Sequence, residues 1–416
     1  MTLITIFILL VFLHSLASGR LARTIFTPPI LFTAAGMVTL LLLPHLRDRK
    51  VSLEIFLQVA EVGLTLLLFT DASRTDLKVL QQIRNLPARL LSTGMLLTLL
   101  LGALGALVVF PQLTIWEAGI LAAILAPTDA GLGQIIVNSP RVPMKIRQAL
   151  NVEAGLNDGL SVPFLLFFIA LAAPNADGHG ASLPRFILEQ LGYGALIGIG
   201  IGLAGGWILG WVRRKEWMAE SSQQLGLVSL PLFCIFASDA CLASMFIAGF
   251  VAGLAVQVGY KQAGKHSVEF TEEWGQLLNL SVFFLFGLLV ARDWRQFNLS
   301  HVAYAVLSLT VVRMVPVAIA LTGTRLNRAT VLFMGWFGPR GLASIVLGLV
   351  YLEHGPQQPG AVTLRLAVMM TVLLSIFAHG FSALPGINLY AAKVAKLDPG
   401  APEKQVVGDA VGGIAE

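Results

Sequence analysis

Charge is scarce in this sequence. Asp, Glu, Lys and Arg make up 12% of its 416 residues, about half the share of an ordinary soluble domain. Hydrophobic residues make up 56%, and the mean hydropathy is +0.79. The shortage excludes a water-soluble enzyme and a disordered chain, and it points to an all-α polytopic membrane protein. Cysteine is scarce too. Cys234 and Cys241 lie in or beside apolar segments, so neither a disulfide framework nor a thiolate metal site is expected. There is no His-Glu-x-x-His and no Gly-x-Gly-Asp, so an intramembrane enzyme is not expected, and nothing calls for a cofactor. Basic residues exceed acidic ones only by 28 to 23. Cytoplasmic loops explain that excess, and no nucleic-acid partner is implied. Positive charge is also missing ahead of the first apolar run, Thr2–Ala17. Arg20 and Arg23 follow it instead, so the run reads as an uncleaved first span and not as a signal peptide.

A span needs about 20 apolar residues. Apolar runs bounded by charges or Pro/Gly breaks fall near 2–18, 26–45, 52–71, 86–110, 115–137, 146–172, 185–212, 221–238, 241–257, 274–291, 299–322, 329–352 and 361–385. These are taken as spans 1 to 13. With the N-terminus outside, 19 of the 28 Lys and Arg fall in cytoplasmic loops, 7 fall outside, and Arg313 and Arg340 lie within spans. That asymmetry gives a multi-pass protein with its N-terminus outside and its C-terminus in the cytoplasm. Residues 396–416 read as a short flexible cytoplasmic tail.

Two spans are interrupted in matching places. Span 5 contains Ala126-Pro127-Thr128-Asp129, and span 12 contains Gly338-Pro339-Arg340-Gly341. Proline within a helix removes a hydrogen bond and clashes with the preceding turn. The two prolines are 339 − 127 = 212 residues apart, and the same offset carries span 1 onto span 8 and span 6 onto span 13. Seven spans separate each pair, an odd number, so the second half is inverted. Repeat one covers about 1–172, a linker helix about 185–212 and repeat two about 221–385. Interrupted helices at corresponding positions of inverted halves point to a transporter's binding site. The linker carries Gly194, Gly198, Gly202, Gly206 and Gly210, a stripe for close helix packing, either within the chain or between protomers.

Ionisable groups at bilayer depth are costly and need a reason. At ~1.5 Å per residue, Asp158, Asp129 and Arg340 lie about 18, 12 and 16 Å from the cytoplasmic surface, near one depth. A small hard cation wants oxygen ligands. Asp158, Asp129, the Thr128 hydroxyl and carbonyls freed by the broken span 5 can supply them. A carboxylate out of water can hold a proton in place of a cation, so the two compete for one seat. That competition is sufficient for exchange. With Asn157 beside Asp158 and no second acid, one cation per proton is expected. Arg340 needs a counter-charge, and Glu153, one turn from Asp158, is the candidate. Glu61 with Gln58 either tunes the pathway or pairs within the fold. Asp71 is either a solvated helix end or part of the ion entry. Arg313 satisfies helix ends or pairs with an acid. Asp239, His301 and His379 read as structural.

The segments Ala126-Pro-Thr-Asp129, Ser139-Pro-Arg-Val-Pro143, Asn151-Val-Glu-Ala-Gly-Leu-Asn-Asp-Gly159 and Gly338-Pro-Arg-Gly-Leu342 resemble the cation:proton antiporters of the electroneutral sodium/proton exchanger branch. The resemblance runs over nearly the whole span pattern, about residues 1–395. It implies a homodimer in the plasma (inner) membrane with a role in pH homeostasis. Spans 1–3 and 7–10 would form a dimerisation scaffold, and spans 4–6 and 11–13 a core that moves like an elevator. It assigns ion or proton binding to Asp158, with Asn157, Thr128, Asp129 and Asp71 around it, and a structural ion pair to Glu153 and Arg340. Pro127 and Pro339 mark its helix breaks. In one place the chain departs from that pattern: Ala154 stands where a coordinating Ser is frequent. Sodium is then less firmly indicated, and potassium or lithium stays open as the alkali substrate. An ion channel or pH sensor on the same fold, or an organic-ion/proton antiporter, are the competing readings. Few aromatic or polar residues flank the breaks, which argues against a large substrate.

Overall fold

The computed structural model describes residues 2–21, 24–46, 53–75, 84–172, 184–185, 188–260, 269–354 and 359–405. Several loop cations used for the orientation, among them Arg23, Arg47, Arg49, Lys50, Lys78, Lys261 and Lys265, lie outside these residues, as does the tail from 406 onward.

The described residues contain helices and no strand. In chain order they are α1 (Thr2–Leu21), α2 (Pro28–Leu42), α3 (Leu53–Arg74), α4 (Asn85–Val109), α5 (Ile115–Leu125), α6 (Ala130–Val137), α7 (Met144–Ala172) and α8 (Leu188–Arg214). There follow α9 (Glu220–Ala240), α10 (Met245–Gly259), α11 (Glu269–Asp293), α12 (Leu299–Leu309), α13 (Val311–Ala320), α14 (Arg328–Trp336), α15 (Leu342–His354) and α16 (Ala361–Ala395). Eight helices are long and apolar enough to cross a membrane. Spans 5 and 12 are each two half-helices, α5 with α6 and α14 with α15. Span 11 is also interrupted, at Thr310, where the backbone turns to φ −106°, ψ −88°.

The glycine stripe of α8 packs inside the chain, against α10. A methyl on Gly202 would stand 2.6 Å from the Ala252 carbonyl oxygen, and one on Gly194 2.9 Å from that of Ser244. Only glycine lets the two backbones approach this closely. Helices α2, α3, α10 and α11 pack alongside one another, and α4 packs on α5, α5 on α7 and α12 on α16. The start of α5 is fixed by a capping box, in which Thr114 and Glu117 satisfy each other's backbone amides. Glu117 also accepts the Gly360 N–H at 3.0 Å, which ties α5 to the start of α16.

Two boundaries differ from the expectation. Span 13 does not stop near 385: Pro385 is absorbed, and α16 runs 35 residues to Ala395, about 52 Å at the ~1.5 Å helical rise and well beyond a hydrocarbon core. The tail is not free over its first ten residues. Pro402–Lys404 forms a 3₁₀ turn. Glu403, buried to 3% exposure, accepts from the Asn327 N–H at 2.7 Å and the Thr330 hydroxyl at 2.8 Å. A carboxylate is favoured there because it lies at the N-terminus of α14, the positive end of the helix dipole. Replacing Glu403 by Ala removes these two hydrogen bonds and should cost about 1 kcal/mol. The expected result is a lower thermal midpoint of the purified protein, and an unchanged midpoint would contradict the docking.

Candidate functional site

The two helix breaks lie against each other. The Asp129 N–H donates to the Pro339 carbonyl at 2.8 Å, so the unwound segments 126–129 and 337–341 meet in the protein interior. Four half-helix ends converge there, each with backbone groups that lack helical partners. Three side chains satisfy them. At the N-termini of α6 and α15, Asp129 accepts from the N–H groups of Gly131 at 2.7 Å, Leu132 at 3.2 Å and Leu342 at 2.6 Å. At the C-terminus of α5, Arg340 donates to the carbonyls of Ala126 at 2.6 Å and Pro127 at 2.8 Å. Ring nitrogen Nε2 of His379 lies 2.8 Å from the carbonyl of Trp336, the last residue of α14, where an Nε2–H donates to it. Ser375 links the set: its hydroxyl accepts the Arg340 N–H at 2.6 Å and faces His379 Nδ1 at 3.1 Å. The anion stands at helix N-termini and the cation at a C-terminus, as the helix dipoles favour.

The glycines of the second break follow from this geometry. A Cβ on Gly341 would meet the Asp129 carboxylate, 2.8 Å from its Cγ, and one on Gly338 would lie 2.6 Å from the Arg313 guanidinium carbon. The Gly-Pro-Arg-Gly sequence therefore places an arginine between two residues that must have no side chain.

Arg313 also corrects the expected ion pair. Glu153 is paired not with Arg340 but with Arg313 of α13, in a bidentate contact of 2.5 Å and 3.0 Å with both side chains buried. Arg340 is taken up by the α5 carbonyls. Each arginine goes to the acceptors that nothing else satisfies: the planar guanidinium fork of Arg313 matches a carboxylate, and Arg340 replaces the amides that the broken helix lacks.

Asp158, on α7, lies beside the crossing with 3% exposure. A cavity of about 140 Å³ reaches it, lined also by Asp71 of α3, Asp129, Gln276 and Asn279 of α11, and Thr27. Asp158 Oδ1 is buried and has no hydrogen-bond partner. The other expected ligands are arranged differently. Asn157 donates from Nδ2 to the Thr128 hydroxyl at 2.8 Å, and its Oδ1 is left without a partner. Thr128 does not line the main cavity. With Ala154 and Asp129 it borders a recess of about 20 Å³, the size of about one water molecule. Asp129 borders both spaces but has given three of its roughly four lone pairs to backbone amides. Asp71 lines the cavity, and beyond it Arg74 pairs with Glu272 at 2.6 Å, whose other oxygen accepts from Gln276 at 3.1 Å. Asn279 and Gln276 were not expected. The signal was two amides one turn apart, Gln276 and Asn279, in the first half of span 10. Among the described residues no three His, Cys, Asp or Glu side chains are grouped to hold a metal ion. Amide, hydroxyl, carbonyl or water oxygens would have to complete the shell of an alkali ion here.

A second cavity, of about 660 Å³, lies between α11, α15 and α16, and neither Asp158, Asp129 nor Asp71 lines it. Arg365 of α16 pairs there with Asp293 of α11 at 3.2 Å.

The family model described as "Sodium/hydrogen exchanger, transmembrane" matches residues 6–385. A probable Na⁺/H⁺ antiporter of Schizosaccharomyces pombe is 28% identical over 316 residues, covering 65% of this chain and 40% of that protein. The K⁺/H⁺ antiporter NhaP2 of Shewanella sp. (strain ANA-3) is 26% identical over 291 residues, covering 68% and 48%. The chain thus spans about half the length of these curated relatives or less. Its fold matches the solved sodium proton antiporter MjNhaP1 of Methanocaldococcus jannaschii with a TM-score of 0.78 at 17% identity, over 95% of this chain and 99% of that one.

Removing one partner of a buried ion pair costs about 3–5 kcal/mol because the other is left unpaired. Glu153→Ala and Arg313→Ala should each sharply lower the yield and thermal midpoint of folded protein, and the double variant should lose less than their sum. Additive losses would contradict the pairing.

Proposed function

The chain belongs to the sodium/hydrogen exchanger family, and from that premise we propose that it is a secondary transporter that exchanges an alkali cation (Na⁺, K⁺ or Li⁺) for protons, not an enzyme. One observation carries the reading. Among the described residues, Asp158 Oδ1 is the only buried carboxylate oxygen without a hydrogen-bond donor, and it lies at a cavity bordered by two further aspartates. Leaving such an oxygen unpaired is costly, and either a proton or a cation relieves the cost. Each excludes the other. A carrier that moves only when loaded then couples the two fluxes, one cation to one proton, with no net charge moved.

The ligand set we propose has Asp158 at its centre and Asp71 across the cavity. Asn157, through its unpartnered oxygen, and the remaining lone pair of Asp129 add to it, and Thr128 holds Asn157 in place. Alternating access is supported by two cavities lined by opposite ends of α11, of which one reaches Asp158. The moving core would comprise α4–α7 and α12–α16, with α1–α3 and α8–α11 as scaffold. Exposed apolar residues such as Ile8, Phe12 and Leu16 on α1 and Leu196 and Trp207 on α8 support contact of that scaffold with membrane lipid or a second copy. We place the homodimer in the plasma membrane, N-terminus outside, serving pH homeostasis.

In everted vesicles, adding Na⁺, K⁺ or Li⁺ should dissipate an imposed proton gradient. Asp158→Asn, which keeps the shape and removes the titrating group, should abolish this while the protein stays folded. Full activity in Asp158→Asn would contradict the assignment.

A further inference from the structure

The cavity at Asp158 has two walls of different origin. Asp158 and Asp129 come from α7 and the helix crossing, and Asn279 comes from α11. That helix is held by α2 and α3. Asn279 is 8% exposed, and its Oδ1 has no hydrogen-bond partner. It borders the same cavity as the unpartnered Asp158 Oδ1. Gly131 lies between the two walls: a Cβ there would stand 3.1 Å from Asp129 Oδ1 and 3.4 Å from Asn279 Nδ2, so a side chain at residue 131 would intrude where the amide and the carboxylate approach. Two buried oxygens without donors, on residues that border one cavity, are ligands of the kind a hard monovalent cation takes. A neutral amide oxygen has a further property: it can solvate a cation but does not bind a proton. It therefore favours the cation-loaded form of the site over the protonated one.

We propose that Asn279 supplies an oxygen ligand to the transported alkali cation and does so from the non-moving side of the site. This rests on the exchange reading of Asp158 given above. Because α11 is anchored to α2 and α3 while Asp158 travels with α7, the Asn279 contact exists only while the cavity beside Asp71 is open. Asn279 then sets the cation affinity on that face of the membrane and leaves the opposite face untouched. It is a specificity residue for one of two states.

The test compares Asn279→Ala with Asn279→Asp, the second of which keeps an oxygen and loses the amide N–H, at an alkaline pH where the added carboxylate holds no proton. In everted vesicles, Asn279→Ala should raise the apparent KM for Na⁺ or K⁺ about tenfold, the effect of one lost charge-assisted contact. In right-side-out vesicles the KM should stay within about twofold, a change too small to count as a lost contact. Asn279→Asp should keep the everted-side KM at or below the wild-type value. An unchanged KM in Asn279→Ala, an equal rise on both faces, or an Asp variant as defective as the Ala variant would each overturn the proposal, the last because it would reveal an amide-donor role. Thermal stabilisation of purified protein by NaCl or KCl, against choline chloride as control, separates this from the exchange reading. If wild-type protein is stabilised and Asn279→Ala is not, but no vesicle exchange occurs, exchange fails and the ligand assignment stands. If wild-type protein shows no stabilisation by either cation, the ligand assignment itself is overturned.

Discussion

Four broken helix ends meet inside this protein, away from water, and the rest of the site depends on how they are satisfied. Backbone N–H and C=O groups at such depth have no solvent to turn to. Asp129 serves two N-termini, Arg340 one C-terminus and His379 the other. Each half of the chain supplies what the other lacks: Asp129, from the first break, caps α15 in the second, and Arg340, from the second, caps α5 in the first. The crossing is therefore a reciprocal structure that neither half can form alone.

This division leaves a remainder. Asp129 is nearly used up by amides, one terminal nitrogen of Arg340 by two carbonyls, and the Glu153 carboxylate by Arg313. Asp158, which is equally buried, has an oxygen that no donor reaches. Fixed charges on every side hold the frame rigid, and one carboxylate is left open to exchange what it binds. Strength and availability are thus assigned to different residues within a few turns of one another.

Much of this was legible in the sequence. The matched prolines at 127 and 339 revealed the broken helices and their offset, and the depth of Asp158 singled it out. The pairing of charges was not legible. The sequence places Glu153 one turn from Asp158 and so offers it to Arg340, but it cannot say that the Ala126 and Pro127 carbonyls compete for the same arginine, so Arg313 was left without its partner. The contact of Thr128 with Asn157 was not legible for a similar reason: which way an unwound segment turns its side chains is set by the crossing and not by the local sequence. Asn279 was missed because two amides one turn apart in an apolar helix give too little pattern. The docking of Glu403 was hidden because a Gly-, Pro- and charge-rich stretch reads as a free tail until the N-terminus it caps is seen.

The most direct measurement is the proton count of cation binding. Calorimetry of Na⁺ or K⁺ binding to the purified protein, in buffers of different ionisation enthalpy, reports protons exchanged with solvent. Where Asp158 is protonated beforehand, release of about one proton per cation is expected, and none in Asp158→Asn. Cation binding with no proton released at any pH would contradict competition at this carboxylate.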